Sequence, residues 1–235
     1  MQTVGRKNIF LPREISHLHS MYSIKKKIGS LKTIDGPMSS GKTSQLVADL
    51  TTYADIGMKV LYIAHEIDER KTVSNISNKI ASHSSTQKTL SPLVTVIRSS
   101  DLSKIDVEPF NVIGVDECLH HKNLVKIMSD WVIGKGKMVI CASLSSWHDR
   151  KPVTEWSELM GTLATEKMHL KAVCPLCQEL FNKIEHNIDL KTADFTFCKN
   201  IKKMKNGVLI AGLEDFMPCC LTHHVQLTFE RDSKY

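Results

Sequence analysis

Three groups of residues in this chain have the types and spacing that chemistry requires. The first is Gly36-Pro37-Met38-Ser39-Ser40-Gly41-Lys42-Thr43, a G-x-x-x-x-G-K-T turn with the Walker A spacing. Glycines let successive N–H groups point inward, and the start of a helix adds its positive dipole end. Lys42 can reach the β- and γ-phosphates of a nucleoside triphosphate, and the Thr43 hydroxyl can ligate Mg²⁺. The second group is Asp116-Glu117, which closes the apolar run Asn111 to Val115. An Asp there can hold Mg²⁺ through water, and Glu117 is placed to act as a general base. The proton it takes would belong to water in an ATPase and to a substrate hydroxyl in a kinase. The third group pairs Cys174-x₂-Cys177 with a downstream Cys219-Cys220-Leu221-Thr222-His223-His224. Cys174, Cys177, Cys220 and His223 make a Cys₃His set that suits a closed, structural Zn²⁺ site. Cys219 or His224 could substitute in it, and Cys198 is a spare thiol.

These groups need elements to hold them. Leu31 to Ile34 reads as a strand entering the Walker turn, and Ser44 to Tyr53 as a helix with Leu46, Val47 and Leu50 on one face. Four more buried-strand runs follow: Lys59 to His65, Leu93 to Ser99, Asn111 to Glu117 and Lys137 to Ser143. A helix is expected between the last two, over "KNLVKIMSDWVIGKG". This rhythm predicts an α/β domain with a parallel sheet. In such sheets ligands sit beyond the carboxyl ends of the strands, where the Walker turn, Asp116-Glu117 and the stretch after Ser143 all fall. Ser74 to Ser91 is rich in Ser, Thr and Asn and reads as an irregular connection. After about Ala172 cysteines and lysines replace the βα pattern. Cys118 and Cys141 read as small buried hydrophobes.

The chain has 235 residues, of which 42% are hydrophobic, enough for one sizeable core or a core with a small appendage. No run of apolar residues is long enough to span a membrane. The first 28 residues are basic, contain Glu14 and lack an apolar run, which predicts a disordered arm rather than a secretory signal. The formal charge of +6 is spread apart from two lysine clusters. Without aromatic–basic interleaving, neither nucleic acid nor membrane is expected as a partner. Seven cysteines with no secretory signal point to metal binding rather than disulfides.

The order of parts resembles the thymidine kinase family of the cellular, zinc-containing type, with its RecA-like P-loop core. The resemblance rests on "GPMSSGKT", "DER" at Asp68 to Arg70, "SHSS" at Ser82 to Ser85, "VDE", "RKP", "AVCPLC" and the closing "IAG…F…CCLTHH". It covers about Gly29 to Val225. It implies a P-loop domain over residues 29–171, a zinc-binding unit with a substrate-covering loop over 172–225, and a tail over 226–235. It implies transfer of the γ-phosphate of ATP to the 5′-hydroxyl of thymidine or deoxyuridine, and a cytoplasmic homotetramer. Gly36 to Thr43, Asp68, Arg70, Asp116, Glu117, Cys118 and Leu119 would serve ATP, with Glu117 as the base. Met38, Phe216 and the main chain of Gly207, Val208, Leu209, Ile210 and Ala211 would meet the nucleoside.

The resemblance breaks at the lining of the nucleoside pocket. The family follows Asp-Glu with a small residue, Gln and Phe, where this chain has Cys118-Leu119-His120. It carries Leu-Asp-Gly-x-Phe where this chain has Leu144-Ser145-Ser146-Trp147-His148, and a Phe after Arg-x-Pro where this chain has Val153. His120, Trp147 and His148 are the rings that could restore stacking. Three functions therefore stand side by side: a thymidine kinase, a kinase of the same fold with shifted or reduced nucleoside preference, and a RecA-like ATPase carrying a zinc ribbon.

Overall fold

The computed structural model describes residues 28–66, 79–80, 88–183, 192–201 and 215–233. Asp68, Arg70, Ser82 to Ser85 and the stretch from Gly207 to Ala211 lie outside the described residues, as does the arm before Ile28.

Six strands form one fully parallel sheet: β1 (Ser30–Gly36), β2 (Val60–Ala64), β5 (Val94–Arg98), β6 (Val112–Val115), β7 (Met138–Leu144) and β8 (Glu166–His169). Their spatial order is β5-β2-β6-β7-β1-β8. The five strands expected from sequence are present. β8 was not legible, because its residues Glu-Lys-Met-His carry no apolar run. It is an edge strand, and charged edges discourage pairing with another chain.

Alternation sorts the sheet residues onto two faces. Val60, Tyr62, Ala64, Val112, Ile140 and Ala142 pack with Leu46, Val47, Leu50 and Ala54 of helix α1 (Lys42–Asp55). Leu61, Ile63, Ile113, Val115, Val139 and Cys141 face the other way. There they meet Leu124 and Met128 of α2 (Leu124–Ser129) and Trp156 and Leu159 of α3 (Thr154–Thr162). The sheet is thus a middle layer covered on both sides, as parallel sheets require. Gly114 of β6 lets α1 lie close: a Cβ there would stand 2.4 Å from a Leu50 methyl. The helix expected before β7 is α2 followed by a π-helical turn at Asp130–Gly134. Lys79–Ile80 (β3) and Lys88–Thr89 (β4) pair antiparallel inside the connection expected to be irregular.

A smaller unit follows. β9 (Ala172–Val173) pairs with β10 (Thr192–Ala193), and β11 (Phe195–Cys198) pairs with β12 (Phe216–Cys219), both antiparallel. Two helices, α4 (Pro175–Lys183) and α5 (Leu221–Asp232), flank them. Helix α5 runs across the boundary expected at 225. Among the described residues the core of this unit holds Ala172, Cys174, Cys177, Ala193, Phe197, Cys219 and Cys220. A core of that size gains from a metal cross-link.

Candidate active site

The Walker turn leaves β1 through Gly36, whose φ of +154 favours glycine. A Cβ there would stand 2.2 Å from the Leu170 carbonyl oxygen. Ser39 and Gly41 also have positive φ, and α1 starts directly after, at Lys42. The Lys42 ammonium donates to the Pro37 carbonyl at 2.7 Å. The Ser40 hydroxyl is buried and has no hydrogen-bond partner among the described residues. A bound phosphate oxygen would satisfy such a group, since buried polar atoms cost free energy when unpaired.

Asp116 stands at the carboxyl end of β6 and is 3% exposed. One carboxylate oxygen accepts from Thr43 Oγ1 at 2.9 Å and from the Tyr62 hydroxyl at 3.1 Å. The other accepts from the Glu117 backbone N–H at 3.0 Å. The first turn of α1, the middle of β2 and the end of β6 therefore meet on one carboxylate. Glu117 turns out of the strand with φ +49, a left-handed conformation uncommon outside glycine. It is half-buried at the same edge. Tyr62 escaped the sequence reading, although a lone hydroxyl-bearing ring in an aliphatic strand is a signal of a buried polar partner.

The next residues place imidazoles beside this edge. His65, at the end of β2, lies 4.6 Å from the His121 ring and 5.5 Å from the His120 ring, centre to centre. Burial and the charge of His65 lower His121 to about 4. Cys118 is fully buried, its thiol donating to the Val115 carbonyl at 3.3 Å and pushed well up by burial. Trp147 is half-buried and packs against the core face that holds α2 and α3, together with Leu119. Val153 is 5% exposed within that same core. His148 offers its carbonyl to His224 Nε2 at 2.9 Å. Phe216 begins β12 and is half-buried.

The Cys₃His set is drawn together. The ligand atoms of Cys174, Cys177, Cys220 and His223 lie within 4.8 Å of one another. His223 Nδ1 is 3.3 Å from Cys174 Sγ and 3.4 Å from both Cys177 and Cys220 Sγ, and the last two sulfurs are 3.8 Å apart. Tetrahedral zinc puts thiolate sulfurs about 3.8 Å apart and a sulfur and an imidazole nitrogen about 3.6 Å apart. The residues fit that ion. Burial opposes ionisation of Cys174, but hydrogen bonds from the Cys220 and Cys177 backbone outweigh it and lower the thiol to about 7. Cys219 is outside that set of four, and burial, with the charges of Cys174 and Cys220, pushes it up to about 12. Its neighbour in the alternatives, His224, is committed to the His148 carbonyl.

Comparison with known proteins settles the family. The profile of the Thymidine kinase family matches residues 29–224, most of the chain. The chain belongs to the thymidine kinase family. It is 29% identical over 195 residues to a thymidine kinase of Amsacta moorei entomopoxvirus, covering 81% of this chain and 95% of that protein. It is 27% identical over 192 residues to one of Myxoma virus (strain Lausanne), covering 82% and 94%. A thymidine kinase of Onion yellows phytoplasma is 26% identical over 196 residues, covering 83% and 87%. The Thr43–Asp116 hydrogen bond joins the Walker turn to the end of β6, and Glu117 follows directly on that carboxylate. Among the described residues no helix is long and apolar enough to cross a membrane.

Proposed function

We propose that this protein transfers the γ-phosphate of ATP to the 5′-hydroxyl of thymidine or deoxyuridine. The observation that carries the reading is the junction at Asp116. It binds the Walker threonine through one oxygen and the Glu117 backbone through the other. A Glu117 backbone tied to the carboxylate that meets the Walker threonine supports its reading as the general base.

In this reading Gly36 to Thr43 cradle the phosphates, and Lys42 moves its ammonium between the Pro37 carbonyl and a phosphate oxygen. Thr43 and Asp116 are the oxygen donors suited to Mg²⁺, which supplies charge neutralisation at the transferred group. Glu117 accepts the proton of the attacking hydroxyl. Met38, His120, Trp147, His148 and Phe216 supply surface for the nucleoside, with Val153 behind them in the core. Asp68, Arg70 and the main chain from Gly207 to Ala211 complete the site by resemblance. Cys174, Cys177, Cys220 and His223 would hold Zn²⁺ as a structural cross-link that takes no chemical step. The same reading makes the protein a cytoplasmic homotetramer, which sedimentation tests. The function itself is tested with labelled ATP and a panel of nucleosides. Formation of thymidine 5′-monophosphate supports it, and nucleoside-independent hydrolysis of ATP sinks it.

A further inference from the structure

One contact ties the small unit to the phosphate loop. The Met38 backbone N–H donates to Thr196 Oγ1 at 2.9 Å, across 158 residues of sequence. Met38 is 7% exposed and Thr196 2%. The carbonyl of the same peptide unit, that of Pro37, accepts from the Lys42 ammonium at 2.7 Å. The Pro37–Met38 peptide is thus held at both ends. One hand is the Walker lysine itself. The other is a hydroxyl on β11, the strand whose partner β12 leads into the zinc-ligand candidates.

The peptide also stands where its orientation matters. The Pro37 ring fixes its own φ, so this peptide turns only about ψ of Pro37 and φ of Met38, and Ser39 after it sits at φ +61. Loop N–H groups cradle a phosphate only when they are turned inward. Two further contacts hold the small unit against the same edge. His169, at the end of β8, lies 3.2 Å from Asp35 and 3.4 Å from Asp194, and Lys171 pairs with Asp194 at 3.2 Å. Asp194 is two residues before Thr196, so β11 is anchored where its hydroxyl meets the loop.

We infer that Thr196 is a positioning residue: its hydroxyl fixes the Pro37–Met38 peptide and so sets the phosphate loop in its nucleotide-binding form. The inference rests on the phosphate-binding reading of the Walker turn and deepens it. It makes the small unit part of the donor site as well as a cover for the acceptor. Removing the hydroxyl strands a buried N–H, and the loop must move to satisfy it.

The test compares full-length protein carrying Thr196→Val, which removes the hydroxyl at nearly constant volume, with Thr196→Ser, which keeps it. The readouts are MgADP affinity by calorimetry, amide exchange of a peptide spanning Ile34 to Leu46, and thermal midpoint. Thr196→Val is expected to weaken MgADP about tenfold and to speed exchange at Met38, with Thr196→Ser within about twofold of the parent. A general packing defect would instead lower the midpoint of both variants and leave their MgADP affinities alike. Unchanged MgADP affinity in Thr196→Val overturns the inference. Should Thr196→Val not fold, Thr196→Ala takes its place: a loss of MgADP affinity of about tenfold with fast Met38 exchange supports the clamp, and parental affinity overturns it. A parent protein that does not bind MgADP would overturn both this inference and the kinase reading, so the two failures are told apart by the parent alone.

Discussion

Thr43 Oγ1 and Asp116 Oδ2 are 2.9 Å apart, although 73 residues separate them in the chain. The bond spans from the first turn of α1 to the end of β6, and Tyr62 steadies the same oxygen from β2. This carboxylate accepts hydrogen bonds from two hydroxyls on one oxygen and from the Glu117 N–H on the other. Asp116→Asn replaces a charged acceptor with a neutral one at constant size. Charge-assisted hydrogen bonds are about twice as strong as neutral ones. The Mg²⁺ concentration needed for half-maximal turnover is expected to rise at least about tenfold in that variant. A magnesium titration of the initial rate checks it.

Glu117 should matter to rate and not to nucleotide affinity. A general base contributes typically about 10²–10⁴-fold. Glu117→Gln keeps the side-chain volume and the backbone contact to Asp116, so MgADP affinity should stay within about twofold while turnover falls by that factor. Retention of more than about a tenth of parental turnover would remove Glu117 from the role of base.

How much of this was readable beforehand divides along a physical line. The five apolar strands, the Walker turn and the Cys₃His spacing are local patterns, and local patterns survive in a sequence. The sixth strand has Met168 as its only apolar residue, so periodicity carries no trace of it. Tyr62 and Thr196 owe their roles to partners 54 and 158 residues away, and no spacing rule reports such a partner. His223 and His224 are adjacent in the chain, yet one faces three thiols and the other a loop carbonyl. Their helical setting on α5 separates them by about 100° of rotation. Only the fold could distinguish them. Trp147, one of the rings that could restore stacking by sequence, packs half-buried against the core face of α2 and α3, and no spacing rule reports that packing.

The zinc assignment has its own consequence. Purified protein should contain about one zinc per chain, and Cys174→Ser or Cys177→Ser should lose it. Among the described residues four of the seven core residues of the small unit are cysteines, so loss of the cross-link should expose it to protease while the sheet domain survives. Metal analysis and limited proteolysis on the same samples check both statements. A zinc-free protein with an intact small unit would contradict them.

The imidazole cluster predicts an acid-side loss of stability. His121 is lowered to about 4 by burial, with His65 and His120 adding repulsion and Asp101 and a contact from Ser100 opposing. Between about 4 and the ordinary value of 6.5, the unfolded chain binds a proton there that the folded chain refuses. Stability is therefore fully present above pH 6.5 and is lost as pH falls through this window. The loss at this group is on the order of 2 kcal/mol once solvent screening is discounted. Thermal midpoints measured through that range should fall less steeply for His121→Phe than for the parent. Parallel curves would remove His121 as the cause.

The proposed reaction is transfer from ATP to a pyrimidine deoxynucleoside at the sheet edge that carries Lys42, Asp116 and Glu117. The most direct measurement incubates the purified protein with γ-labelled ATP and Mg²⁺, with thymidine, deoxyuridine, the other deoxynucleosides or DNA supplied separately, and separates the products. Label is expected in thymidine or deoxyuridine 5′-monophosphate, lowered about 10²–10⁴-fold with Glu117→Gln. Label in inorganic phosphate alone, at a rate indifferent to every nucleoside, would contradict it.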